Sequence, residues 1–99
     1  MTGNRGSRWG RSMIADEPQN VVWVLDGYSK QDEFLRTRHT ISRDQIIRLR
    51  EVLTPDPDDP WMVYGYDVPV TIWPEVEGIL HCGPPDPTLD YQTGCYRAD

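Results

Sequence analysis

Soft nucleophiles and metal ligands are scarce in this sequence: 99 residues hold two cysteines, Cys82 and Cys95, and two histidines, His39 and His81. Two widely separated cysteines are too few for a disulfide scaffold or a complete zinc site, so both are expected as free thiols. No apolar run approaches the roughly 18 residues of a membrane-crossing helix, and the N-terminus lacks the apolar core of a secretory signal. The expectation is a protein that does not enter a membrane and stays in the bacterial cytoplasm where it is made. Phosphate-cradling glycine patterns are absent. Glu75 and Glu77 are two positions apart, so on a helix they cannot work as a facing pair of carboxylates. A histidine in a strand, such as His39, is more often structural than catalytic, and acidic surroundings disfavour the thiolate that a cysteine nucleophile needs. The expectation is a non-enzyme with no cofactor and no metal.

Basic residues are also missing from one half of the chain. Residues 51–99 hold ten Asp or Glu and only Arg97, whereas residues 1–50 hold nine Arg or Lys against six Asp or Glu. A half-chain this acidic repels phosphate backbones and attracts basic protein surfaces through long-range steering. The plainer reading of the same charge is a soluble surface. Four Trp, five Tyr and one Phe are available to a small core, each large aromatic bringing roughly 150–250 Å² of surface to bury.

Residues 1–19 are rich in Gly, Ser, Arg and Asn without helical or strand periodicity, and are expected as an irregular tail ahead of one domain over residues 20–99. Arg5, Arg8 and Arg11 around Trp9 offer charge and stacking to a nucleic acid, a reading that the acidic domain behind them disfavours. Met13 is an alternative start, which would make residues 1–12 an extension.

Val21 to Tyr28 is β-branched and aromatic on both faces, which suits a central strand. Ser29 to Asp32 is a short polar turn, and Glu33 to Ile41 alternates as the second arm of a hairpin. Ser42 followed by Gln45 forms a capping box. The helix that it starts carries Ile46, Leu49 and Leu53 as its apolar stripe, with Arg43, Arg48 and Arg50 largely pointing away, and ends before Pro55. Trp61 to Val70 reads as a third strand with a bulge at Gly65. Thr71 to Leu80 reads as a short helix with Ile72, Val76 and Ile79 or Leu80 inward and Pro74 in its first turn. Cys82 to Pro87 is a rigid connection, and Leu89 to Arg97 a last strand. The order β-β-α-β-α-β predicts an α+β fold, with about four mainly antiparallel strands and two helices packed on one face.

Thr54 to Pro60 contains three prolines and three aspartates, an exposed, stiffened and strongly negative loop. Its acids lack the glycine turn and terminal Glu of a calcium-binding loop. Together with residues 61–77 it makes an acidic aromatic surface: Asp56, Asp58, Asp59, Trp61, Tyr64, Tyr66, Asp67, Trp73, Glu75 and Glu77. Charge speeds encounter and aromatics anchor the bound state, a combination suited to a basic protein partner. Some of these aromatics are needed in the core, leaving about half for a partner.

The strand and turn Trp23 to Lys30, the helix led by Asp44 and Gln45, and Asp58-Asp59-Pro60 ahead of a Tyr-rich segment resemble a group of small bacterial domains that are similar to immunity proteins of polymorphic or contact-dependent toxin systems. The resemblance covers residues 20–97, departing in the Arg-rich leader and in Gly78 to Gly83. It implies one-to-one inhibition of a cognate toxin by binding, with specificity in variable surface residues. Two other readings stand beside it. A cytoplasmic adaptor or self-associating module, with homo-oligomerisation open, predicts an apolar interface. A small ligand-binding domain or enzyme predicts a deep pocket lined by His39, His81 or Cys82.

Overall fold

A computed structural model of the chain describes residues 17–98. The expected tail, with Arg5, Arg8, Trp9 and Arg11, falls outside the described residues apart from Glu17, Pro18 and Gln19. Glu17 pairs with Arg43 at 2.6 Å.

The β-branched run forms β1, Val21–Ser29. It is the central strand of a three-stranded antiparallel sheet, with β2, Leu35–Ile41, on one side and β3, Leu89–Arg97, on the other. The β1–β2 turn closes when Ser29 N–H donates to Phe34 O at 2.9 Å and Phe34 N–H to the Asp32 carboxylate at 3.0 Å. Trp23 lies opposite Ile41 and Cys95, and Leu25 opposite His39 and Thr93. Because successive strand residues face opposite ways, these side chains share one face, and Val24, Asp26, Thr40, Arg38 and Gln92 share the other.

Helix α1, Arg43–Leu53, begins at the capping box: Gln45 N–H donates to Ser42 Oγ at 3.2 Å, and Ser42 N–H to Gln45 Oε1 at 2.9 Å. It stops where Thr54 turns left-handed and Pro55 follows. Ile46 and Leu49 are buried as the stripe requires. Arg50 corrects the expectation that all three arginines point away. It is buried, donating from Nη1 to Pro60 O at 2.7 Å while its guanidinium lies 4.8 Å from the Trp61 ring centre. Its aliphatic stem and flat, weakly hydrated head suit that position.

A single 3₁₀ turn, Val70–Ile72, leads into α2, Trp73–Leu80, with Pro74 in the first turn and His81 as its left-handed cap. Val76, Ile79 and Leu80 are buried and Ile72 half-buried. Gln45 Nε2 donates to Ile79 O at 3.2 Å, tying the helices together. Both contribute to one core with Trp23, Leu25 and Ile41, so they cover the same sheet face. Trp23 Nε1 donates to Trp61 O at 2.8 Å, which lets the Trp23 ring be buried without an orphaned indole N–H. Burial of such rings stabilises by roughly 25 cal/mol per Å² of apolar surface removed from water.

The expected strand over Trp61 to Val70 does not form. Only Asp67 bridges β3, at Gln92, and the described residues hold three strands. Met62 adopts a left-handed φ of 51°, the amides of Val63 and Tyr64 are taken by a side chain, and Pro69 has no N–H to give. What remains are Thr93 N–H to Tyr66 O and Val68 N–H to Tyr91 O, both at 2.9 Å. The segment follows the outer edge of β3 briefly and then leaves it.

Candidate functional site

Between α1 and α2 the chain forms a loop whose shape is set by one carboxylate. Asp59, 5% exposed, accepts Val63 N–H at Oδ1 (2.8 Å), and Tyr64 N–H (3.0 Å) and Tyr66 Oη–H (2.7 Å) at Oδ2. Its backbone closes two further turns, N–H to Asp56 O at 2.9 Å and O from Met62 N–H at 3.1 Å. Trp61 and Met62 are sunk into the core, while Val63 and Tyr64 rise from it. Tyr64 ends 69% exposed on a backbone held at its own amide and at that of Val63. Burial, and then the hydrogen bond to Asp59, push the Tyr66 phenol well above its ordinary range, so it serves the carboxylate as a donor.

The ten residues expected to form an acidic aromatic surface are divided by this arrangement. Asp56, Asp58, Tyr64 and Asp67 are exposed on the loop, and Glu75 is exposed on α2. Tyr66 is half-buried, as is Glu77, which accepts Gly83 N–H at 3.3 Å. Asp59, Trp61 and Trp73 are buried and do not belong to the surface in this structure. Trp73 donates from Nε1 to Gly83 O at 2.8 Å and packs on Tyr91 with ring centres 4.6 Å apart. A fold this small needs its indoles for the core.

A second cluster, on the sheet face away from the helices, was not among the expected site residues. Asp26, only 1% exposed, receives Arg38 through Nε at 2.7 Å and Nη2 at 2.8 Å, the bidentate geometry that strengthens such pairs. Tyr28 and Tyr96 donate their hydroxyls to the same carboxylate at 3.2 and 3.4 Å. The Arg38 guanidinium lies 4.8 Å from the Tyr96 ring centre, and the hydrogen bond to Asp26 raises its pKa. Burial, and then its hydrogen bond with Tyr96, raise the Tyr28 phenol. The local signal was a lone acid inside an otherwise apolar strand; its partner twelve residues away depends on the hairpin register.

A cavity of about 330 Å³ opens on the helix side of the sheet, lined by Thr37, His39, Trp73, Cys82, Asp86 and Tyr91 among others. Two of the three residues expected at such a pocket are therefore there; His81 is instead the exposed cap of α2. Burial, with a smaller contribution from Glu77, raises the Cys82 thiol, and burial also raises Cys95. Both cysteines are unpaired, and protonated thiols are poor nucleophiles. Among the described residues no group of three His, Cys, Asp or Glu gathers as metal ligands, and no helix is long and apolar enough to cross a membrane.

Fold and loop together define a small α+β domain with an aspartate-clamped loop on one side of its sheet and an ion pair on the open face. Residues 22–94 match a family described as a domain of unknown function, DUF7683, and the chain belongs to that family. No curated protein and no solved structure matches it.

Proposed function

We propose that this chain is a cytoplasmic bacterial immunity protein, which neutralises a cognate toxin by docking the Asp56 to Asp67 loop on its basic surface. The observation that carries this reading is Tyr64, exposed on a backbone that the Asp59 clamp fixes and flanked in the chain by the outward acids Asp56, Asp58 and Asp67. A loop whose backbone is held in place before binding loses little backbone entropy on association. Its ring supplies an anchor, and the carboxylates supply rapid, salt-sensitive encounter. Inhibition requires only occupancy of the toxin's active-site surface.

The test is co-expression with the product of the adjacent gene in cells that this product alone arrests, followed by co-purification. Rescue with a one-to-one ratio of chains, lost in Tyr64→Ala and slowed in association by Asp58→Lys, supports the proposal. Asp59 is unsuited to charge reversal because its carboxylate holds the loop together. A harmless neighbour, or a complex indifferent to Tyr64 and Asp58, counts against it and favours an adaptor.

A further inference from the structure

The two outer edges of the sheet are treated differently. Beside β3, Tyr66 and Val68 exchange backbone hydrogen bonds with Thr93 and Tyr91, and Pro69 then ends the pairing. Along β2, none of the described residues pairs with the outer edge. Proteins discourage pairing at such an edge with charge, proline or bulges. Leu35–Ile41 has no Pro or Lys, and its register with β1 slips only at the Gly27/Tyr28 end. Its two arginines are engaged within the chain, Arg36 with Asp32 at 2.6 Å and Arg38 with Asp26 at 2.7 Å.

We infer that two copies of this chain associate through their β2 edges, joining two three-stranded sheets into one continuous antiparallel sheet. A second copy suits this edge because like-charge repulsion, its usual barrier, is neutralised in each copy by Asp26 and Asp32. A foreign acidic strand gains less, since each guanidinium already holds a carboxylate. Antiparallel pairing of a strand with itself is two-fold and needs no second patch. Phe34, 67% exposed, and Leu35 lie at the start of the strand and add apolar area. A strand edge of this length buries less than the roughly 1,200 Å² of a standard interface, so the dimer is weak and concentration-dependent. The Tyr64 loop lies beyond β1 on the β3 side, and dimerisation leaves it free in both copies. The inference therefore stands independently of the toxin reading.

Sedimentation equilibrium of the whole chain, from dilute solution to the concentrations of an NMR sample, tests it. The expected mean mass climbs from 11.5 kDa towards twice that value, and climbs further at moderate salt, which screens the net charge of −6 on each copy. Amide exchange read over the same series should slow within Leu35–Ile41 and remain unchanged at Val63 and Tyr64. Thr40→Lys, at an exposed position that in the two-fold pairing faces Arg36 of the second copy, sets like charges across the seam and should hold the chain monomeric while its far-ultraviolet circular dichroism stays native. A monomer throughout overturns the inference, as does a dimer whose concentration-dependent protection lies outside β2. Protection of β2 that arises only when a different protein is added assigns the edge to that protein and overturns it too.

Discussion

Asp26 and Asp59 are both buried acids, with opposite kinds of partner. Asp26 is held by side-chain donors alone, an arginine whose side chain is 44% exposed and two phenols. Asp59 is held chiefly by backbone, the amides of Val63 and Tyr64, with one phenol added. Removing the acid has different consequences in the two places. Arg38 can swing into water, whereas an amide fixed in a loop finds a new partner only if the loop refolds. Burial alone does not determine what an acid contributes; the freedom of its donors does.

Asp59→Ala is the most damaging single change to either cluster, with an expected loss of about 2–4 kcal/mol in chemical unfolding because several part-buried donors lose their acceptor together. Asp26→Ala should lose about 1–2 kcal/mol by the same measurement, with Arg38 released to solvent rather than stranded. The reverse ranking would show that side-chain donors bind their acid more tightly than a fixed backbone does. Alkaline titration addresses both clusters together. The pKa values of Tyr66 and Tyr28 are raised on folding, so the folded chain keeps protons that the unfolded chain loses above a pH of about 10. The contribution to stability is complete below that pH and lost as pH rises through the folded-state values; Tyr66→Phe and Tyr28→Phe should each remove part of the decline in melting temperature. The smallest effect is expected from Gly94→Ala. An added methyl would meet the Tyr96 ring at 3.0 Å and push its hydroxyl from Asp26, where it already sits at 3.4 Å. A cost below about 1 kcal/mol is expected, read as a small shift in denaturation midpoint.

Features set by near neighbours were legible in the sequence. The β1 run, the Ser42 and Gln45 box, the stop at Pro55 and the last strand each depend on residues within a few positions, and each lies where that chemistry places it. The Trp61 to Val70 segment has strand composition, but Asp59 captures the amides that a ladder would use. Composition cannot register that competition. Arg50 looked like surface because charge is normally solvated, and only the tertiary position of Trp61 and Pro60 gives it a buried place. The Asp26 cluster needs three strands in register, a long-range condition absent from any local pattern. The loop's acidic character was evident, but not which acid was structural and which faced outward.

The central claim is that Asp59 fixes the loop presenting Tyr64, and amide hydrogen exchange at Val63 and Tyr64 tests it most directly. Slow exchange is expected at both amides despite the exposed side chains, with that protection lost in Asp59→Ala under conditions where the core strands remain protected. Fast exchange at both positions in the unaltered chain would contradict it.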